Sequence, residues 1–254
     1  MLVGAFQSKQ GGYSLENLRT LFDEPYRTAF KNSVEVSLVT AVLGGALGLV
    51  IAYSAIREGT PRWIRTVLTT FSGVAANFAG IPLAAAFIAT LGTIGVLTQF
   101  LAVQLGVNPY DHGFTLYSKT GLELVYLYFQ IPLMILVIAP AVDGLRREWR
   151  EAASSLGASP LQFWRHVGVP ILLPSILGAV VLLFGNSFAA YATAYALTTG
   201  GVALVPITIG FLLSGDVLDD PHLGQALAFG MFVVLGLMML VYIPLQRLTS
   251  RWMR

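Results

Sequence analysis

Apolar residues fall in five long blocks along the chain, 33–56, 64–90, 121–142, 171–197 and 224–245. Each is near or above the ~20 residues a helix needs to cross the hydrocarbon core of a bilayer. The pattern predicts about five transmembrane helices. Between the second and third blocks, 91–120 is apolar only in part and is interrupted by Gly92, Gly95 and Gln99. It predicts an interfacial or partly re-entrant connection, with a sixth span as the second option. Ahead of the first block, Leu15, Leu18, Leu21 and Phe22 share one helical face within 13–30. That stretch reads either as a short amphipathic helix at the membrane surface or as an ordinary loop.

The one long polar interruption is 146–170, RREWREAASSLGASPLQFWRHVGVP, and its apolar neighbours make it a loop in water. Two short helices are predicted within it. The first, 148–156, is rich in good helix formers and is followed by Gly157 where a left-handed cap belongs. The second runs through 161–167, with Ser159 as N-cap and Pro160 at the first helical position, where a missing N–H costs nothing. The product is a helix-turn-helix elbow. Phe163 and Trp164 are expected to be available for burial outside the bilayer, and Pro170 and Pro174 to mark the way back into it.

Composition narrows the class. Hydrophobic residues make up 56% of the 254, charged residues 11%, and the mean hydropathy is +0.72, which excludes an ordinary water-soluble domain. The absence of Cys excludes disulfides, thiolate metal sites and Cys nucleophiles. Charge then orients the chain by the positive-inside rule. With 146–170 in the cytoplasm, Arg57, Arg62, Arg65, Arg146, Arg147, Arg150, Arg165, Arg247, Arg251 and Arg254 all lie inside. Lys9, Arg19, Arg27, Lys31 and Lys119 lie outside with Asp216, Asp219 and Asp220. Five spans with the C-terminus inside put the N-terminal tail outside, although 1–6 is too short to be a span or a signal-peptide core.

Catalytic signatures are missing. His112, His166 and His222 have no metal-ligand spacing, no Ser sits in a G-x-S-x-G elbow, and no Lys follows Gly as a Walker A loop requires. Any ATP must therefore be hydrolysed by another polypeptide, and the elbow is the natural connection to it. Polar residues within the apolar blocks are the candidates for a solute path, since lipid penalises them. Glu123, Tyr126 and Gln130 share one face of the third block; Ser187, Tyr191 and Tyr195 share one of the fourth, with Asn186 beside them. Asn77 lies deep in the second block. Interhelical hydrogen bonding by Asn, Ser and Gln, with Tyr in an interface belt, fits the same residues. Ser37, Ala41 and Gly45, with the G-x-x-x-G pair Gly44 and Gly48, give the first block a smooth face. It serves close contact inside the bundle or against a second subunit.

Glu151-Ala152-Ala153, Gly157 six residues after the Glu, and Val167-Gly168-Val169-Pro170 resemble the EAA loop of permease subunits of binding-protein-dependent ABC importers. That family usually closes the motif with Ile-x-Leu-Pro; Val at both aliphatic positions keeps the size class. The layout is similar from about Tyr13 to the C-terminus, but only the loop is specific. The resemblance implies an all-α polytopic membrane protein with the type I ABC importer permease fold, a MetI-like helical bundle. It would form a single permease domain, 1–254, with 146–170 as its cytoplasmic coupling loop. It assigns contact with the ATPase to Glu151, Ala152, Ala153, Gly157, Ala158, Pro160, Phe163, Trp164 and Pro170.

Further implications concern partners. The subunit itself would be non-catalytic and bind no cofactor, with ATP and Mg held by two ATPase subunits. A second permease copy or homologue and an extracytoplasmic solute-binding protein would complete the assembly in a bacterial or archaeal cytoplasmic (inner) membrane, and no nucleic acid is expected. The outer segment 214–222 is then a docking surface for the binding protein, or a solvated turn. The family usually has a span before the first block here, which makes 1–6 the expected stub of a longer first helix. The run 188–201, FAAYATAYALTTGG, and the long outer segment look most like the spermidine/putrescine, phosphonate and ferric-iron branch. Aromatic and acidic path residues suit an organic cation, so a polyamine is the expected solute. A secondary transporter or channel working without an ATPase is the alternative class.

Overall fold

The computed structural model describes residues 4–7, 12–56, 60–214 and 221–250, without the side chains of 221 and 247–250. Lys9, Arg57, Arg251, Arg254 and the acidic Asp216, Asp219 and Asp220 lie outside the described residues, as do 1–3 of the expected stub. Among the described residues all regular elements are helical, with one isolated bridge between Gln7 and Tyr13. Five helical stretches are long and apolar enough to cross a membrane: Tyr26–Ile56, Ile81–Leu105, Lys119–Asp143, Pro160–Phe188 and His222–Gln246. Their number is the expected one. Several boundaries differ from the expected ones.

At the N-terminal side, α1 (Glu16–Thr20) is only a short turn of helix, and α2 (Tyr26–Ile56) begins well before residue 33. The amphipathic helix expected over 13–30 is thus divided, with Pro25 at the join. Block 64–90 is divided as well. Helix α3 (Arg62–Asn77) ends, Gly80 turns the chain at φ +78°, and α4 (Ile81–Leu91) starts with Pro82 in its first turn. Positive φ is open to Gly, and Pro is tolerated where no intrahelical N–H is needed. The stretch expected to be a connection, 91–120, instead carries α5 (Val96–Leu105), which completes the span that α4 begins. Backbone bonds from Gly92 N–H to Ile88, Gly95 N–H to Gly92 and Gln99 N–H to Gly95 bridge the interruption.

The remaining helices are α6 (Lys119–Asp143), α7 (Arg147–Ser155), α8 (Pro160–Phe163), α9 (Val169–Phe188), α10 (Ala192–Thr198), α11 (Val205–Ser214) and α12 (Pro221–Ser250). Block 171–197 is therefore two helices, with a break after Phe188. The chain forms two compact units. One comprises 1–39, 78–126 and 185–237, the other 40–77, 127–184 and 238–254. In the first, Ala29, Val205 and Leu227 make a buried cluster. Asn32 Nδ2 donates to Ala203 O at 3.1 Å, the Val205 N–H to Ser33 Oγ at 2.9 Å, and the Gly80 N–H to Thr193 Oγ1 at 2.7 Å. The bonds from Gly80 and Val205 satisfy orphan N–H groups at helix starts, which would be costly in lipid.

In the second unit the small-residue face of α2 meets α6. A Cβ on Gly44 would stand 2.7 Å from Gln130 Cβ, and one on Gly48 would stand 2.6 Å from Met134 Cβ. Gly45 faces Val180 in the same way at 3.2 Å. The smooth face is used inside this chain. Charge divides between the units: Arg62, Arg65, Arg146, Arg147, Arg150 and Arg165 belong to the second, and Arg19, Arg27, Lys31 and Lys119 to the first. Lys119 Nζ pairs with Glu35 Oε2 at 2.5 Å.

Candidate functional site

The elbow is built from the second unit alone. Arg146 is extended, and α7 starts at Arg147 with Glu148 in its first turn, where a carboxylate complements the helix dipole. Arg147 Nε pairs with Glu151 Oε1 at 2.6 Å, one turn apart on the exposed surface. The helix stops as the sequence predicts. Gly157 lies at φ +77°, its N–H donates to Ser154 O and the Ala158 N–H donates to Ala153 O, both at 2.9 Å. These two bonds form a Schellman cap and occupy the last carbonyls of α7.

Ser159 then opens α8. Its Oγ accepts the Gln162 N–H at 3.3 Å, and Gln162 Oε1 accepts the Ser159 N–H at 2.7 Å. This reciprocal capping box, with Pro160 at the first helical position, fixes the angle at which the chain leaves the turn. We expect Ser159→Ala to cost about 1 kcal/mol of local stability. Hydrogen exchange at the Gln162 and Phe163 amides measures it, and unchanged protection would contradict the cap.

Beyond Phe163 the helix widens into a π turn over Trp164–Gly168, in which the Val169 N–H reaches back to Trp164 O. Pro170 has no N–H to give, and the wider turn carries the backbone past it without a break. The elbow's second helix is thus continuous with the span Pro160–Phe188. Pro170 and Pro174 lie inside that run, and neither breaks the helix. Gly168 is required for the same turn, because a Cβ there would lie 2.5 Å from Trp164 Cε3.

Two expectations about the elbow need correction. Phe163 is 6% exposed, and Trp164 packs edge-on against Tyr53 with ring centroids 4.6 Å apart. The Arg150 guanidinium carbon stands 5.7 Å from the centre of the Phe163 ring, and Arg150 Nη2 donates to Tyr53 OH at 3.3 Å. Phe163 is thus buried in its own bundle, and Trp164, half-buried, leans on Tyr53. The outward apolar groups are Leu156, 88% exposed, and Leu161, 78% exposed. Trp149, Ala152, Ala153 and Leu156 recur at i, i+3, i+4 and i+7, one stripe of an amphipathic helix. The sequence carries that signal openly, but the larger aromatics of the second helix mask it.

The candidate path residues separate into three groups. Tyr126 OH donates to Ala190 O at 3.0 Å, and Gln130 Nε2 donates to Leu183 O at 2.9 Å; both side chains are buried. Tyr126 and Ser187 line one small cavity of about 10 Å³, at the lower limit for a single water. These are interhelical bonds at and near the break that follows Phe188. Asn77 is exposed at the last position of α3, and its Nδ2 donates to Gly73 O at 2.8 Å, so it is not deep in a span. The side chains of the third group are at least partly exposed. Glu123 is half-buried and Asn186 exposed. Tyr191 and Tyr195, part-exposed, stack with centroids 5.5 Å apart and planes 14° from parallel, and Phe211 meets Tyr195 edge-on at 5.8 Å.

Known proteins resemble this chain in sequence and in fold. The probable sulfate transport system permease protein cysT of Nephroselmis olivacea is 26% identical over 192 residues, covering 74% of this chain and 64% of that protein. The spermidine/putrescine transport system permease protein PotB of Escherichia coli is 25% identical over 243 residues, 94% of this chain and 85% of that one. In three dimensions the chain is similar to a bacterial ABC transporter involved in the import of the acidic polysaccharide alginate. The TM-score is 0.71 at 18% identity, over 98% of this chain and 87% of the other. The helical fold is that of ABC importer permeases. Residues 44–254 match the family model for the inner membrane component of binding-protein-dependent transport systems, and with the elbow at 146–170 falling inside that range, the chain belongs to this family.

Proposed function

We propose that this chain is the permease subunit of an ATP-driven importer, and that 146–170 is the joint through which a separate ATPase moves it. The observation that carries the reading is the exposed apolar stripe of α7, closed by a rigid cap and joined through α8 to an unbroken span. An amphipathic helix that leaves its apolar face uncovered suits the groove of a soluble partner. Since α8 and α9 form one helical run, a displacement of the elbow is delivered to the membrane directly. The anchors Phe163, Trp164 and Arg150 transmit the same force to α2 through Tyr53.

In this reading ATP and Mg reside on two ATPase subunits, a second permease completes the pathway, and an extracytoplasmic binding protein delivers the solute. The arginine-rich loops face the cytoplasm of a bacterial or archaeal cell. Closure of the ATPases brings the elbows together and tilts the spans. Sulfate and spermidine/putrescine both occur in the names of related permeases. The Tyr191, Tyr195 and Phe211 cluster favours the cation, because aromatic faces attract ammonium groups. We therefore assign a polyamine as the solute.

Reconstitution tests the proposal. In liposomes holding the permease, its ATPase and the binding protein, labelled putrescine accumulates only when ATP is present. Downhill flux through the permease alone would replace the importer with a channel or secondary transporter. ATP-driven accumulation of sulfate without putrescine would overturn the solute assignment and leave the importer standing.

A further inference from the structure

We propose that the cavity between the ends of α2, α3 and α6 binds the phosphate headgroup of an anionic phospholipid. Its volume is about 270 Å³, far above what a single water needs. Among the described residues its lining holds five arginines, Arg62, Arg65, Arg146, Arg147 and Arg150, and one acidic residue, Asp143. Arg65 pairs with Asp143, and Arg147 with Glu151. The charge that remains is positive and is held within one concavity. Such an arrangement repels itself until an anion enters, and guanidinium forks match phosphate oxygens in pairs.

Position decides between a soluble anion and a lipid. Ile56, the last residue of α2, and Val142 and Asp143, the last two of α6, line the cavity, so it opens where two spans end. From its rim runs α3, whose Trp63, Val67, Phe71 and Val74 are all exposed at spacings of four, four and three. Those residues form one apolar face, beginning beside Arg62 and Arg65. A diacyl phosphate meets both features at once, its head among the arginines and its chains along the stripe. Free phosphate would leave the stripe unused. Placing the site in the cytoplasmic leaflet, which attracts basic groups, rests on the orientation proposed above. Binding itself does not depend on transport.

Native mass spectrometry of the purified full-length chain tests the site. Phosphatidylglycerol, phosphatidylcholine with the same acyl chains, and inorganic phosphate are added in turn. Phosphatidylglycerol should be retained at least tenfold more tightly than phosphatidylcholine. The double variant Arg62→Gln with Arg146→Gln should erase that preference, and Arg62→Lys with Arg146→Lys should keep most of it. An unchanged thermal midpoint in phosphatidylcholine shows that the Gln variant is folded. Equal retention of the two lipids, or a preference that survives the Gln variant, overturns the proposal. So does inorganic phosphate competing as well as the lipid, which would make this a soluble-anion site. Release of the lipid by added ATPase subunit would make it part of the protein interface and likewise overturns it.

Discussion

Gly157→Asp is expected to abolish solute uptake while leaving the chain folded and inserted. Position 157 sits at φ +77°, and a Cβ there would meet nothing within 4 Å, so the substitution causes no clash. A left-handed backbone costs an ordinary L residue roughly 1–2 kcal/mol, and Asp and Asn less than most. Strain of that size does not unfold a membrane bundle. The charge is a different matter, because residue 157 lies next to Leu156 on the surface assigned to the ATPase. An unpaired carboxylate buried against an apolar groove costs several kcal/mol, and each 1.4 kcal/mol is tenfold in affinity. Uptake in proteoliposomes should fall by at least tenfold, with ATP hydrolysis no longer responding to loaded binding protein.

Gly157→Asn separates the two causes, since Asn accepts the same backbone conformation without charge. It should retain most of the uptake. If Asn is as inactive as Asp, the turn itself must flex, and the rigid cap is the wrong description. If the Asp variant transports normally, the elbow is not the joint.

The elbow was legible because its signals are local. Ser159 and Pro160 start a helix and Gly157 ends one through backbone chemistry confined to a few residues, which a sequence displays directly. What the elbow touches was not legible. Phe163 and Trp164 read as an exposed plug until Tyr53, far away in the sequence in α2, is placed against Trp164. The breaks at Gly80 and after Phe188 were hidden for another reason: an apolar run reports how much chain can lie in lipid, and says nothing of where it turns. Tyr126 and Gln130 shared a helical face as expected, yet their hydrogen bonds to Ala190 and Leu183 depend on a neighbouring helix whose register no spacing encodes. The number of spans survived because it is a sum over many residues.

The second large effect is expected at Gly48, where two opposing contributions can be weighed. Replacing a helical Gly by Ala gains about 1 kcal/mol of helix propensity at an unhindered position. Gly236, with nothing within 4 Å of its Cβ position, should show that gain as a slightly raised thermal midpoint. At Gly48 the added methyl would stand 2.6 Å from Met134 Cβ and 2.8 Å from Ile131 O, and the second of these is backbone. The side chain cannot swing aside, so α2 and α6 must separate. Overpacking of this kind costs about 1–3 kcal/mol per site, and lipid supplies no hydrophobic force to press the helices back together. The clash wins: Gly48→Ala should lower the midpoint of the detergent-purified chain by several degrees, and Gly48→Leu should yield no monodisperse protein. A Gly48→Ala variant as stable as Gly236→Ala would mean that the close approach of α2 to α6 is not what holds them. Because both partners of the contact lie in this chain, the loss should be equally visible in the isolated subunit, before any second permease is present.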